Sequence, residues 1–550
     1  RGRGGRIAQA RDGSMRIARG TSFGNDGSIL VIVPISIDGG VNTELGPSAP
    51  SIQKQDGTIS VPWLIEGQNI TFNLDGWPQK MPGAANVNAS ATGATDSVMG
   101  IFDYWRSGSG ATQSQQRVIV AGTQIYTESG GTLTSRRTGL EANKMPWFEV
   151  MGDVLVIATN SSVDVPMTWD QTTFANLGGT PPNFDFHVEH KTRLFAAGVD
   201  SNKSRLYYSV NSNHADWIGA GSGSIDVKPD DGDVITAIRS HKNELLIFKG
   251  PNHGSIYRLT GSAPTGADAF ALEPFVRGIG ATNQQAIIAV ADDLVFWDDL
   301  GIHSLVATSA FGDYNEKFIS RDIATYFTQS LNHSRFDAVW GANVSGAGYA
   351  LWTVSRAGVT TNDLMLLWDY RFTPPRFAFW PAYAAASVTV VRDASRLVTP
   401  WVGTYTGRVQ RLNQSARNLA GTAYTMNVLF PNLAFGDAFA DKMVLKGRVG
   451  FVPKGETTFT VGWQRDGQTQ QTASVTQSGT QSLAPSSDPF ILDLDVLGGG
   501  RYQQQFFDMS GSFKELQLQI TQGSLDVDCE PHGLALELEG AGIGTTAVKG

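Results

Sequence analysis

The feature that most constrains this chain is a hairpin unit that returns along most of its length. Its clearest copy is an apolar run, Leu245-Leu246-Ile247-Phe248-Lys249, followed by a turn at Gly250-Pro251-Asn252-His253-Gly254 and a second run, Ser255-Ile256-Tyr257-Arg258-Leu259. A short apolar stretch bounded by Gly and Pro reads as a strand, and two such stretches around one turn read as a hairpin. Val118 to Ala121 with Ile125-Tyr126, Val154 to Ile157 with Thr168-Trp169, and Leu194 to Ala196 with Arg205 to Tyr208 repeat the pattern. So do Leu294 to Trp297 with Gly301 to Leu305, Tyr349 to Trp352 with Leu366 to Asp369, and Leu397 to Val402 with Gly407 to Leu412. The gaps run from about 40 to about 65 residues, near the ~40–50 of propeller repeats, and the units number about seven.

A small twisted sheet has two faces and two open edges to cover, so it is marginal alone. Stacking such sheets around an axis covers the faces and leaves only short edges. The repeats therefore predict an all-β chain whose residues 96–420 form a β-propeller of about seven blades. The competing arrangement is a set of unrelated hairpins in a β-sandwich. Composition agrees with short strands and many turns: 62 glycines, 17% charged residues and 41% apolar residues in 550. That length exceeds one ordinary core and predicts a further domain. Residues 421–550 fit it, because Lys442 to Val452, Thr458 to Trp463, Leu516 to Ile520 and Gly533 to Gly540 alternate apolar and polar. Such alternation marks strands with one face buried and predicts a C-terminal β-sandwich. Arg321 to Phe327 is one of the few stretches that reads as a short helix.

Residues 1–28 read as a basic arm. Arg1, Arg3, Arg6, Arg11, Arg16 and Arg19 sit among Gly, Ala and Ser, a composition that buries too little to fold alone. These arginines are the candidate contacts to a partner or to DNA, and a protein partner is preferred because no aromatic side chains alternate with them to stack on bases. Residues 29–95 read as entry strands, with Ile29 to Ile37 the expected ring-closing strand. The net charge of −9 disfavours a dedicated nucleic-acid binder. The single cysteine, Cys529, excludes an intrachain disulfide and reads as a packing residue. The longest apolar run, Ile29 to Ile37, contains Pro34 and falls short of the ~20 residues that span a bilayer, so no membrane span is expected.

The most informative motif lies in the entry segment. Gly39-Gly40-Val41-Asn42 opens it, and Gly67-Gln68-Asn69-Ile70-Thr71-Phe72-Asn73-Leu74-Asp75-Gly76-Trp77-Pro78-Gln79-Lys80-Met81-Pro82-Gly83 follows. This is an alternating strand, an Asp-Gly turn and a Pro-Gly stop. The Gly-Gly-x-Asn element and the segment ending in Pro-Gly resemble the entry to the tail nozzle proteins of short-tailed bacteriophages, also called stabilisation or tail tubular proteins. Where that entry often carries a basic pair, this chain has Lys80 alone. Ser204 to Ser209 with Asp216-Trp217, and Asp233 to Ile238, resemble the same family. The resemblance implies a virion tail protein: a propeller assembled with its own copies into a ring, a hexamer, around the channel by which DNA leaves. It implies portal–adaptor and tail-fibre or tip proteins as partners, with genomic DNA passing without sequence-specific binding.

The search for chemistry predicts no enzyme, no cofactor and no metal site. His187 and His190 are three apart in a strand-like stretch, which puts them on opposite faces. His303 occupies the place of Tyr257 in the clearest repeat and reads as packing. Asp230-Asp231, Asp292-Asp293 and Asp298-Asp299 flank strand ends, where Asp forms turns. A glycosidase would need two carboxylates across a sugar site, which sequence does not exclude. Phosphate-loop, Rossmann, Gly-x-Ser-x-Gly and Cys-x-x-Cys patterns are absent. Of the 13 tryptophans and 13 tyrosines, most fall at strand positions within repeats, such as Trp297, Trp352 and Trp368, and read as core. The alternative to the nozzle is a tail-associated propeller that binds or degrades glycan. A bacterial envelope scaffold is a third reading, disfavoured because no export signal is legible.

Overall fold

The computed structural model describes residues 22–23, 29–49, 52–53, 58–107, 113–306, 318–393, 395–413, 416–435, 439–451, 457–477 and 503–539. The chain forms two compact units. One comprises residues 84–368 and 381–413; the other gathers residues 1–83, 369–380 and 414–550.

The first unit is a β-propeller of seven blades, each an antiparallel run of three or four strands. The first blade runs Val98–Arg106, Ser114–Ala121, Gln124–Ser129, Thr132–Arg137, each strand paired to the next. The second is Pro146–Met151, Val154–Thr159, Met167–Trp169, Phe174–Asn176; the third is Phe186–His190, Arg193–Ala197, Arg205–Tyr208, Gly223–Asp226. The fourth is Val234–His241, Glu244–Gly250, Ser255–Thr260, Ala271–Arg277. Ile288–Val290, Asp293–Trp297 and Ile302–Ser304 make the fifth, and Trp340–Val344, Tyr349–Val354 and Leu364–Asp369 the sixth. Ser387–Arg392, Val398–Gly403 and Val409–Asn413 make the seventh. All seven sequence repeats thus fall one to a blade.

The second strand of each blade is apolar without alternation because both its faces are covered, as in a sheet packed on two sides. Val118, Ile119, Val120 and Ala121 are all buried, as are Leu245, Leu246, Ile247 and Phe248. One face of Leu245 to Phe248 packs towards the third blade (Leu245, Ile247) and the other towards the fifth (Leu246, Phe248). Similar clusters join the first blade to the second, the second to the third and the seventh to the first. Trp297 and Trp352, both fully buried, meet with ring centroids 6.2 Å apart at the fifth and sixth.

Ring closure differs from the expected one. Ile29–Ile37 takes no part in the seventh blade; it pairs with Pro531–Glu539, from Leu30 opposite Glu539 to Ile35 opposite Leu534, and in parallel with Ile59–Val61. The strand that completes the seventh blade is Gly83–Asn86, beside Val409–Asn413. Asn88 locks it. Its side chain is 1% exposed, accepts from the Val409 N–H at 2.8 Å and donates to the Gly407 and Ser90 carbonyls. Ile29–Ile37 belongs to the other unit, where its alternate residues Val33, Ile35 and Ile37 are buried.

The second unit is a β-sandwich, and it uses more of the chain than residues 421–550. One sheet runs Ile52–Gln53, Ile59–Val61, Ile29–Ile37, Pro531–Glu539, Lys442–Phe451, Gln503–Phe513. In the other, Leu516–Gln522 pairs with Met426–Leu429 and with Thr457–Arg465, and Met426–Leu429 pairs with Glu66–Gln68. Rings from the two sheets meet as Trp463 with Phe507 and as Phe451 with Phe459, each pair at 5.9 Å. The expected short helix is present as a 3-10 turn, Arg321–Ile323, continued by an α-helix, Ala324–Ser330. Among the described residues no helix is long and apolar enough to cross a membrane.

Candidate functional site

In a propeller the first strand of each blade lines the axis, so groups on those strands are the first place to look for function. Here the axis is crossed by the protein's own side chains. Gln285, which precedes the fifth blade, donates from Nε2 to the Pro146 carbonyl of the second at 3.1 Å, and its own carbonyl accepts from the Gly341 N–H of the sixth. The second and fifth blades are not neighbours in the ring, so this bond spans the middle. Beside it the Arg239 guanidinium lies 4.2 Å from the Trp147 ring centroid and donates to the Gln284 and Ile287 carbonyls at 2.6 and 2.9 Å. The Gln284 amide brackets Ile238, accepting from its N–H and donating to its carbonyl, where a bulge between Ile235 and Ala237 breaks the strand's regular pairing.

Two carboxyls share this region, Glu149 and Glu189. Burial pushes the Glu149 carboxyl up to about 7; Arg239 opposes the rise and Glu189 adds to it. Burial raises Glu189 as well, and draws Arg239 down to about 10. Burial thus favours the protonated form of both carboxyls, with the Arg239 cation opposing it at Glu149. Nothing in the sequence marked it: Glu149 and Glu189 are ordinary polar positions on two strands until the ring brings them together.

Several of the groups singled out from sequence have structural partners. His187 and His190 are both buried and diverge: the His187 Nε2 is 3.2 Å from the Val156 carbonyl of the second blade, and the His190 Nδ1 is 2.8 Å from Ser240 of the fourth. Burial lowers them to about 3 and about 4, so both rings are neutral at physiological pH. His303 stacks on Phe296 at 5.7 Å and is lowered to about 4, again by burial. Asp231 pairs with Lys249, a fully buried ammonium that also donates to the Val227 and Lys228 carbonyls. Asp293 accepts from Ser304 and the Val306 N–H, and Asp298 from the Gly280 and Leu300 N–H groups. Asp233, not singled out for itself, accepts from the backbone N–H groups of Asn252, His253 and Gly254 and thereby shapes the turn of the clearest repeat. Trp297, Trp352 and Trp368 are core. Cys529 is buried, with its thiol pushed up to about 12 by that burial. Arg1, Arg3, Arg6, Arg11, Arg16 and Arg19 lie outside the described residues.

The entry motif is a joint within the sandwich unit. Asn73 Oδ1 accepts from the Asp75 and Trp77 N–H groups and its Nδ2 donates to Glu530 at 3.0 Å. Asn69, with φ of 54°, donates to the Thr425 carbonyl at 2.7 Å. Lys80 is fully buried: its ammonium donates to Gln522 at 2.6 Å and to the Ser524 carbonyl at 2.9 Å, and sits 4.7 Å from the Tyr424 ring centroid. Burial brings it down to about 8.

Cavities lie between adjacent blades. One of about 330 Å³ between the second and third is lined by Asp185, Asp200, Asn183 and Tyr207. Burial pushes the Asp185 carboxyl up to about 7. Another, of about 290 Å³, lies at the seam where the seventh blade meets the first. Among the described residues no group of His, Cys, Asp and Glu side chains is placed to hold a metal ion.

No family model matches this chain, and no curated protein does. Solved structures similar to it include YCF48 bound to a D1 peptide, at 10% identity over 62% of this chain and 97% of that one, with a TM-score of 0.35. The N-terminal domain of Nup159 is 10% identical over 54% of this chain and 73% of its own, with a TM-score of 0.25. An exo-β-1,3-galactanase from Phanerochaete chrysosporium with galactose is 10% identical over 89% of this chain and 99% of its own, with a TM-score of 0.24. Likenesses this remote say nothing of what this chain binds.

Proposed function

We propose that this chain is a structural subunit of a phage tail, a nozzle protein that assembles with its own copies into a ring around the DNA exit channel. The observation that carries the reading is the filled axis. Gln285, Arg239 and Trp147 occupy the middle of the propeller, so the blade ring serves as a solid block and leaves no bore for a duplex. A channel for DNA then has to lie among copies, along the outer walls. The motif that resembles the nozzle family supports the reading from the other unit, since Asn69, Asn73 and Lys80 are used there to bind chain segments together. A net charge of −9 suits a wall past which phosphates slide without sticking. In this reading the ring holds the genome, binds adaptor and fibre proteins, and opens on infection without covalent chemistry.

The test is assembly. The purified full chain is mixed with a portal–adaptor complex of a short-tailed phage and imaged by electron microscopy. Rings of this protein below the adaptor are expected. A chain that stays apart from every such complex, at micromolar concentration, overturns the proposal.

One observation favours a second reading, a propeller that cleaves glycan. Glu149 and Glu189 are two acids on neighbouring blades whose carboxyls burial pushes up, Glu149 to about 7, and a glycosidase pairs a raised acid with a second carboxyl. Release of sugar from host polysaccharide by the wild-type chain, abolished in Glu149→Gln, would establish it in place of the nozzle.

A further inference from the structure

We propose that the cavity between the second and third blades receives the Arg16 side chain of a second copy of this chain. The inference rests on the reading that copies assemble, and it names where one copy holds the next. Two aspartates stand in matching places. Asp233 comes immediately before the first strand of the fourth blade and accepts from the Asn252, His253 and Gly254 N–H groups, in the turn between that blade's second and third strands. Asp185 comes immediately before the first strand of the third blade and lies against the corresponding turn, where a Cβ at Gly198 would be 2.9 Å from its Oδ2. Yet the Asp185 carboxyl has no hydrogen bond or ion pair among the described residues, and its oxygens are not sealed in the core. It lines a cavity of about 330 Å³, at the small end of ligand sites and on the scale of one long side chain.

The wall is rich in acceptors and poor in free donors. Asp200 gives one oxygen to Lys203 at 3.0 Å and keeps the other. Asn183 spends its Nδ2 on the Ser162 carbonyl at 3.0 Å and keeps Oδ1. Ser161 Oγ donates to Glu141 at 2.7 Å. A half-buried Tyr207 completes the wall. A guanidinium suits this set: its fork matches a carboxylate, and its plane stacks on a tyrosine ring. It would also stabilise the ionised form of Asp185, which burial disfavours. An anion would face two carboxylates, and a neutral polyol would find few donors.

Charge singles out the occupant. From Met145 to His190 the chain has six acids, Glu149, Asp153, Asp164, Asp170, Asp185 and Glu189, and no lysine or arginine. Residues 1–21 have the reverse, six arginines and one acid, Asp12. Arg16 is the one of the six set between two apolar residues, Met15 and Ile17. With Arg16 in the cavity these two fall at its rim, where apolar groups are waiting. Pro182 lines the cavity, and Val163, next to the lining Ser162, is 72% exposed.

The experiment is a disulfide trap between full chains. A copy carrying Ile17→Cys is mixed with a size-tagged copy carrying Ser162→Cys, at micromolar concentration and physiological salt, and gently oxidised. Cys529 is buried and does not compete. A mixed, disulfide-linked dimer on a non-reducing gel is expected. Asp185→Asn in the tagged copy, or Arg16→Gln in the other, is expected to slow its formation roughly tenfold, and Arg16→Lys about threefold. Asp185→Asn removes a carboxyl that burial disfavours, so its melting temperature at neutral pH is expected to be no lower than that of the parent. Asp292→Asn, at an exposed position of the fifth blade, and Arg6→Gln are expected to leave the rate unchanged. No mixed dimer, or Asp185→Asn reacting as fast as its parent, overturns the site. Equal slowing by Asp292→Asn or Arg6→Gln overturns it in favour of diffuse attraction between arm and surface. Arg16→Lys equal to its parent overturns the guanidinium. A chain with both cysteines that closes on itself at a rate independent of concentration overturns the second copy. Rings below the adaptor without the trap would sink this inference alone, and the trap without rings would sink the nozzle reading alone.

Discussion

The propeller and the sandwich are both built of β-strands, yet they close their sheets over very different stretches of chain. Within a blade the next strand is the next in sequence, as when Asp103 faces Arg117. In the sandwich Leu30 faces Glu539, across nearly the whole chain. Loop-closure entropy rises only as the logarithm of length, so going from a ten-residue loop to one of several hundred costs about 3–4 kcal/mol more. That cost is within reach of a few buried side chains, and Val33, Ile35, Leu534, Leu536 and Leu538 are the ones that meet it, all at most 3% exposed. The propeller is thus stabilised by repetition of a local unit, and the sandwich by a few distant pairings. The first should yield gradually to damage and the second as a whole.

The sharpest way to break that contrast is to end the chain after Glu530. This removes Pro531–Glu539, the strand between Ile29–Ile37 and Lys442–Phe451. The expected outcome is loss of the sandwich, with proteolytic cleavage and fast hydrogen exchange across residues 29–61 and 442–513. The blades from 98 to 412 should stay protected. Equal loss of protection in the blades would mean that the two units fold as one.

The next effect is at the ring closure, where the propeller too relies on distant partners. Asn88→Ala removes two buried hydrogen bonds, to Val409 and Gly407, and a part-buried one to Ser90. A loss of about 2–4 kcal/mol is expected, read by denaturant unfolding. Hydrogen exchange should rise first in residues 83–93 and 407–412. If exchange rises evenly round the ring, Asn88 is no latch and the blades are more strongly coupled than their local pairing implies.

These differences also account for what could be read from sequence. The blades were legible because each second strand is covered on both faces, and a run such as Leu245 to Phe248 must then be apolar throughout. The C-terminal strands were legible from alternation, as in Leu534, Leu536 and Leu538. The closing strand was not. Gly83-Ala84-Ala85-Asn86 has no apolar run, because its role needs close approach and hydrogen bonds more than bulk: a side chain at Gly83 would meet the Asn418 backbone within 2.4 Å. Ile29–Ile37 looked the better candidate because apolar content shows that a strand is buried and not where. The axial group of Trp147, Glu149, Glu189 and Arg239 was invisible for a related reason. Its members lie on three blades, and only the circular order of those blades makes them neighbours.

Lys80→Met sharpens the comparison from the sandwich side. The substitution preserves volume but removes the donors to Gln522 and to the Ser524 carbonyl, which tie the entry motif to the C-terminal strands. It also removes the cost of burying an ammonium, which burial has already brought down to about 8. The net loss expected is therefore moderate, about 1–3 kcal/mol at pH 7, confined to the sandwich transition in a two-step unfolding curve. An unchanged sandwich transition would show that apolar pairing alone joins the chain ends.

The smallest effect is a pH dependence belonging to the propeller, through Asp185. Burial pushes its carboxyl up to about 7, partly opposed by Lys203, against about 3.9 for an unfolded chain. Between those values the folded state holds the extra proton. This group's contribution is therefore fully present below about pH 4 and is lost as pH rises through 7. At pH 8 the wild type buries a carboxylate beside Asp200, and Asp185→Asn does not. The variant should melt higher than wild type at pH 8 and level with it only below about pH 4, with the difference confined to the propeller transition. A variant that is equally displaced at both pH values would mean that Asp185 acts through packing, and that the cavity between the second and third blades holds no buried proton.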